Sequence, residues 1–313
     1  MRCIVDADTA QIEITNACHL ACSNCTRLVG HIKKPFMMTF DCFKNAIDSM
    51  KGYPKMTGIM GGEPLLHPLF EEFCDYAASV IPREQLGLWS SFPEGKEHHR
   101  GIICKTFGNV FLNDHSRDDI YHAPILVGAE EVIKDEQEML LVVDHCWLQN
   151  AWSSSINPKG AFFCEVAASM AMLFDEPDDQ AWPVEPRWWM RIPAQYREQM
   201  DKWCRRCGVA LSIGRRGSKE EVDDISPKNL ERLKGKSKRV AKGHYKVHDL
   251  VQIENPQPMF QYKEQWFREK VARRYGIFLT INAKDFSEPH LLNQWKKEAD
   301  KPTLFQIVKE QYG

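Results

Sequence analysis

Cys18, Cys22 and Cys25 stand in one short run, Cys-His-Leu-Ala-Cys-Ser-Asn-Cys, so any fold adopted by this chain must carry three thiols on a single loop. A cubane iron–sulfur cluster takes four ligands, and three from this loop would leave one iron open to a small molecule. Zinc with a fourth ligand from elsewhere fits the spacing too, as do three unrelated thiols. Flanking residues add an order of parts. Ile12 and Ile14 alternate with Gln11, Glu13 and Thr15, the pattern of a half-buried strand running directly into the cysteine loop. A helix is expected over about Thr39 to Lys51, with Phe40, Phe43, Ile47 and Met50 on one face. The strand-like run Thr57–Met60 then ends in Gly61-Gly62-Glu63-Pro64. Such a turn can bring its backbone close to a ligand and can offer a carboxylate to an ammonium group.

Strand, cysteine loop, helix, strand and Gly-Gly-Glu turn, in that order, resemble the radical S-adenosylmethionine (SAM) enzymes over roughly the first 145 residues. The resemblance implies a partial (β/α) TIM-like barrel, an α/β fold. It also implies a [4Fe-4S] cluster on Cys18, Cys22 and Cys25 whose open iron takes SAM, with Gly61, Gly62, Glu63 and Pro64 orienting the methionine part of the cofactor. Reductive cleavage of SAM to a 5′-deoxyadenosyl radical that abstracts a substrate hydrogen atom is the activity it implies, with an electron donor such as flavodoxin or ferredoxin. The residue before the third cysteine is commonly aromatic in that family and packs near the adenine. Here it is Asn24, which leaves ligation untouched and the adenine contact unassigned.

Four more cysteines lie downstream. Cys164 ends a segment in which Pro158-Lys159-Gly160 is a turn between two strand-like runs, hence a β-hairpin. Cys146 precedes it, and Cys204-Arg-Arg-Cys207 follows a Trp-rich stretch. One cysteine before a hairpin, one on it and a late Cys-x2-Cys resemble the auxiliary-cluster unit called SPASM or, shortened, twitch. That resemblance implies an auxiliary [4Fe-4S] cluster on Cys146, Cys164, Cys204 and Cys207; structural zinc is the alternative. Four thiolates saturate such a cluster, which leaves it an electron relay, an electron acceptor or a structural staple. Trp182, Trp188, Trp189 and Trp203 are expected to shield it, or to form a stacking wall for a sugar or base.

Cys3, Cys42, Cys74 and Cys104 remain. Cys42 and Cys74 read as core residues. Cys104, in Gly101–Phe107, is expected at a strand end or edge facing the site, a candidate hydrogen-atom donor. Further strands are expected at Leu86–Ser91, Val110–Asn113 and Met139–Asp144. Their C-terminal ends would bring Ser90, Ser91, Asn113, Asp114, His115 and Arg117 near SAM or substrate, as in parallel barrels. Three parts follow: a radical SAM core over 1–145, a twitch-like unit over 146–212, and a basic linker with a helical C-terminal extension over 213–313. In the last part Met259, Phe260, Trp266, Phe267, Val271 and Tyr275 recur at helical spacing.

Net charge is −2, which points to no particular partner. Eleven cysteines, without a signal-peptide start or an apolar run of membrane-spanning length, favour reduced thiols and metal ligation in the cytoplasm over a disulfide framework. From Lys228 to Lys246 eight Lys or Arg face only Glu231. The run reads as a solvated linker or helix face, or as a phosphate- or nucleic-acid-binding segment. Four outcomes stay open: oxidation of a carbohydrate or aminocyclitol alcohol; isomerisation or epimerisation of a nucleotide, nucleotide sugar or modified DNA base; peptide maturation; and a non-enzymatic metal-bearing nucleic-acid-binding protein. Only seventeen residues precede Cys18, which leaves no space for a leader-peptide-binding domain and disfavours the maturase.

Overall fold

Thr39 sets the start of the first helix: its hydroxyl accepts from the Cys42 amide, and apolar residues then recur every three or four positions. The structure is a computed structural model that describes residues 1–113, 115, 120–151, 153–250 and 279–282. Strands β1 (Thr9–Thr15), β2 (Met56–Gly61), β3 (Leu86–Ser90) and β4 (Asn109–Leu112) are separated by helices α1 (Phe40–Ser49), α2 (Phe70–Val80) and α3 (Arg100–Thr106). A short strand β5 (Tyr121–His122) follows, then α4 (Ala129–Val132), α5 (Glu136–Asp144) and α6 (Trp147–Ala151). A hairpin of β6 (Ser153–Asn157) and β7 (Gly160–Phe162) leads into α7 (Glu165–Phe174) and α8 (Arg197–Trp203). The rest holds β8 (Arg216–Gly217), β9 (Asp223–Ile225), α9 (Pro227–Leu233), α10 (Lys238–Ala241), β10 (Tyr245–Val247) and β11 (Leu279–Asn282).

Seven strands form one sheet in the order β11-β4-β3-β2-β1-β6-β7. The five central strands are parallel, and β7 and β11 flank them antiparallel. Among the described residues the sheet is open, a mostly parallel α/β arrangement with no closed barrel. Strand β1 has β2 on one side and the much later β6 on the other, so the chain order reverses there. Crevices beyond the carboxyl ends of parallel strands, at such reversals, are where open α/β sheets hold ligands. The cysteine loop leaves β1 at that point.

One face of the sheet packs on the helices: Ile12, Ile14, Ile59, Leu88 and Val110 share a core with Phe43, Ile47, Phe73 and Ala77. The strand alternation sends Gln11 and Glu13 to the opposite face. A separate apolar patch of Met60, Trp89 and Phe111 forms beside them, with the Trp89 and Phe111 rings stacked 4.4 Å apart. Gly58 makes space for it, because a Cβ there would run into the Trp89 ring.

Several expectations change. Strand β1 is buried along its whole length rather than half-buried: Gln11, Glu13 and Thr15 are as enclosed as Ile12 and Ile14. Met139–Asp144 belongs to α5, not to a strand. Asp135 caps that helix by accepting from the Glu138 amide, and Met139, Val142 and Val143 face the core while Leu141 is exposed. Gly101–Thr106 is also helical, so Cys104 lies on α3, which packs on α2, and not at a strand end. The hairpin forms as expected, but β6 pairs with β1. The boundary expected between 1–145 and 146–212 therefore crosses the main sheet, and one apolar core runs from Ile4 to Leu233. Cys74 is fully enclosed and Cys42 partly so, both on the core. The apolar positions expected in a C-terminal helix, Met259 to Tyr275, lie outside the described residues, as do Asp114 and Arg117. No described helix is long and apolar enough to cross a membrane.

Candidate metal centre and cofactor site

The three upstream thiols share the loop that leaves β1. Cys22 is buried, while Cys18 and Cys25 are partly exposed. The Leu20 amide lies 3.4 Å from the Cys18 sulfur. Burial pushes the Cys18 thiol up to about 12; Cys22 is raised by burial and then by Cys25 and Cys18. Thiols held up in this way give up their protons when a metal displaces them.

Asn24 has left-handed backbone (φ 48°), a conformation asparagine tolerates. Its side chain donates to Asp224 Oδ2 at 2.9 Å and accepts from the Asp224 amide at 2.9 Å. That amide group is thus committed to the segment carrying β9 and is not offered to an adenine. The same segment holds more of the loop. The Ser23 amide donates to the Ser218 carbonyl at 2.8 Å, and Ser23 Oγ accepts from the Val222 amide at 3.0 Å. Asp223 accepts from the Asn24 amide and pairs with Arg239, and His31 Nε2 lies 2.8 Å from its carboxylate. Arg239 also donates to the carbonyls of Ala21 and Cys22. Gly30 is needed here, since a Cβ would strike the Arg239 guanidinium.

Arg239 belongs to the basic run expected to be solvated or phosphate-binding. The rest of that run is mostly exposed, as a solvated face would be: Lys228, Lys234, Lys236, Lys238, Lys242 and Lys246 lie at the surface, where Lys228 and the half-buried Arg232 reach Glu130, Lys234 pairs with Glu231, and Lys236 donates to the Phe174 carbonyl.

The Gly61-Gly62-Glu63 turn abuts the start of the cysteine loop. The Gly62 amide donates to the Thr15 carbonyl at 2.8 Å and the Glu63 amide to the Ala17 carbonyl at 2.7 Å. A Cβ on Gly61 or Gly62 would collide with those same two carbonyls, so glycine is required at both. The Glu63 carboxylate is not free to meet an ammonium group. It accepts from Ser90 Oγ (2.7 Å), Leu65 N (3.1 Å), Ser91 N (2.9 Å) and Ser91 Oγ (2.6 Å), which uses its four lone-pair positions. Ser90 and Ser91 therefore brace Glu63 rather than face a ligand, and Pro64 opens the short turn Pro64–Leu66. What this turn can still offer an ammonium group is backbone carbonyl, that of Gly62 accepting no hydrogen bond among the described residues.

At the end of β4, Asn113 Oδ1 lies 2.6 Å from His115 Nε2, His115 Nδ1 meets His122 Nε2 at 2.8 Å, and His122 Nδ1 meets the Ser23 carbonyl at 2.7 Å. A carbonyl can only accept, so His122 carries its proton on Nδ1. Burial, then the neighbouring ring, takes His115 down to about 3; burial also lowers His122. Both folded values lie below the ordinary 6.5, so this stability is complete above that pH. It is lost as the pH falls toward 3, because the unfolded chain takes up the protons first. The thermal midpoint is expected to drop between pH 6.5 and about 4, and the His115→Asn/His122→Asn double variant to show a flatter profile. A profile of unchanged slope would place the titration elsewhere.

The four downstream cysteines converge. Cys146 follows α5, Cys164 caps α7, and Cys204 and Cys207 bracket the turn after α8. All four line one cavity of about 30 Å³ together with Val143, Leu148, Phe163, Val166, Met170 and Trp203. That space exceeds one water, yet its walls are thiols and apolar side chains with few polar partners for water. Its chemistry suits an occupant bound through sulfur. Burial pushes Cys207 up to about 12 and raises Cys164 and Cys204 well above the ordinary thiol value, neighbouring thiols adding to it. The Val209 amide lies 3.5 Å from the Cys207 sulfur. Of the tryptophans expected to shield this centre, only Trp203 lines the cavity. Trp189 donates to the Ser49 carbonyl at 3.1 Å and packs on Tyr53, pinning its segment to α1.

Four thiolates on zinc, each at about 2.3 Å, would sit about 3.8 Å apart. Among the described residues no three cysteine sulfurs come within 4.8 Å of one another; the group that does is Glu71, His98 and His99, apart from either cysteine set.

Between the two sets lies a feature that residue type and spacing did not reveal. Arg27 donates to Glu13 and Gln11, touches the Met60 sulfur, and reaches Glu165 Oε2 at 3.2 Å. It fills the polar face of β1, which is why that face is buried. Burial works to lower the Arg27 pKa, but Glu165 and Glu13 hold it above its ordinary value; burial, opposed by Arg27, raises Glu13.

No protein-family model matches the chain, and no curated protein matches it. Among solved structures it is similar to the crystal structure of BtrN in complex with AdoMet and 2-DOIA, at 15% identity and a TM-score of 0.37, over 51% of this chain and 74% of that one. A likeness this slight decides nothing about function.

Proposed function

We propose that the chain is a radical SAM enzyme with two [4Fe-4S] centres. Cys18, Cys22 and Cys25 would hold the first and Cys146, Cys164, Cys204 and Cys207 the second. The observation that carries this reading is the difference between the sets. Four thiols enclose one apolar cavity, whereas the other three share a loop beside a Gly-Gly-Glu turn, at the mouth where the sheet reverses. A centre with three protein ligands keeps a position for the cofactor; one with four does not. When bound, the first centre and SAM supply a 5′-deoxyadenosyl radical that takes a hydrogen atom from substrate.

The protein's own groups hold and shape that site. Arg239 holds the Ala21 and Cys22 carbonyls and Asp223 the Asn24 amide, Ser90 and Ser91 fix Glu63, and the turn's backbone would offer carbonyl oxygen to the ammonium of the methionine part. For the overall reaction the favoured reading is two-electron oxidation of an alcohol carbon on a carbohydrate or aminocyclitol. The substrate loses a hydrogen atom, then an electron and a proton, to become a carbonyl; the coordinatively saturated second centre suits taking that electron. A flavodoxin- or ferredoxin-type protein would supply the first electron.

Anaerobic reconstitution tests the class. About eight irons per chain are expected, with deoxyadenosine formed from SAM under reducing conditions. Zinc without iron and sulfide, or iron-loaded protein that forms no deoxyadenosine, would defeat it.

A further inference from the structure

We propose that the buried Arg27–Glu165 pair is a positioning bridge whose charges bias the potentials of both cysteine centres, an inference that rests on the reading above. Arg27 lies two residues beyond Cys25, and Glu165 directly follows Cys164. Their side chains meet at 3.2 Å with each only 4% exposed, so the contact joins the loop of one centre to the helix start of the other. The Arg27 guanidinium senses the charge of both Cys25 and Cys164. Its Nε has no hydrogen-bond partner among the described residues.

Each centre, once assembled on thiolates, is negative and becomes more so on reduction. Charges enclosed this deeply are poorly screened, and net charge and hydrogen bonding around a cluster set its potential. A cation held between two such centres favours the reduced state of both, and a carboxylate beside one of them disfavours it there. Glu165 opposes the cation on the side of Cys164. Glu13 and Gln11 hold the guanidinium in place from β1, and Ser155 Oγ donates to Glu13 at 3.3 Å from β6. The bridge is thus fixed from both strands at the sheet's reversal.

Potentiometric titration of the reconstituted protein, followed by electron paramagnetic resonance, tests this. Glu165→Gln, which keeps shape and removes one negative charge, should raise the potential of the second centre. Arg27→Gln should lower both potentials, and Arg27→Lys should recover part of the loss. A purely structural role would not give opposite signs from the two ends of one contact. If Arg27→Gln does not fold, the sign of the Glu165→Gln shift decides. Variants with full iron content and unmoved potentials overturn this proposal alone; a parent chain that takes up no iron overturns it together with the functional reading.

Discussion

Replacing Asp223 with alanine is expected to cost about 3–5 kcal/mol of folding stability, because it strips a buried cation of its counter-charge. Asp223 is 1% exposed and Arg239 4%. Removing the carboxylate leaves Arg239 against the Ala21 and Cys22 carbonyls alone, frees the Asn24 amide, and takes away the group 2.8 Å from His31 Nε2. Domains are stabilised by only about 5–15 kcal/mol, so a loss of this size is a large share of the whole. Urea unfolding of the metal-free protein measures it. Hydrogen exchange should show the loss concentrated in residues 18–31, because the strap acts on that loop. Asp223→Asn retains an acceptor for the Asn24 amide and should lose less. In a cycle with Arg239→Met, the double variant should be more stable than the sum of the two singles. Additive effects would mean that Arg239 is solvated or paired elsewhere.

That contrast marks what the chain's local pattern could reveal. The cysteine loop, the strand feeding it, the Thr39-capped helix and the Pro158–Gly160 hairpin are short-range features, written in residue type and spacing. The downstream cysteines were legible because sulfur ligands are chemically distinctive; all four line one cavity. What escaped depends on partners far along the chain. Gln11 and Glu13 alternate with Ile12 and Ile14 as solvated positions would. Arg27 and Glu165, the latter 152 residues beyond Glu13, turn that face into a buried ionic core. In the same way Lys228–Lys246 has the composition of a free basic surface, and only the fold shows Arg239 reaching back to Cys22. Met139–Asp144 failed for a different reason. A run of consecutive apolar residues fits a buried strand as well as a helix, and the deciding signal was the Asp135 cap just before it. Glu63 lies beside the cysteine loop, but the bonds from Ser90, Ser91 and the Leu65 amide occupy the carboxylate that was expected to meet an ammonium group.

Separating the two cysteine sets should separate two activities, and this is the sharper test of the functional reading. Cys204→Ser with Cys207→Ser removes half the ligands around the 30 Å³ cavity. Iron is expected to fall from about eight to about four per chain, with deoxyadenosine still formed and substrate oxidation reduced to background. Stability of the loaded protein should fall as well. The second centre ties together segments after α5, before α7 and after α8, and the energy of binding there adds to the energy of folding. Cys18→Ala, Cys22→Ala and Cys25→Ala together should also leave about four irons, yet abolish deoxyadenosine formation. This second loss should cost less stability, because all three ligands belong to one loop that Asp223 and Arg239 already hold. The asymmetry follows from where the sulfurs sit: one set bridges distant segments, the other decorates a single turn. Equal losses of SAM cleavage from both variants would mean that the downstream centre serves the first step, and the division of roles proposed for the two centres would fall.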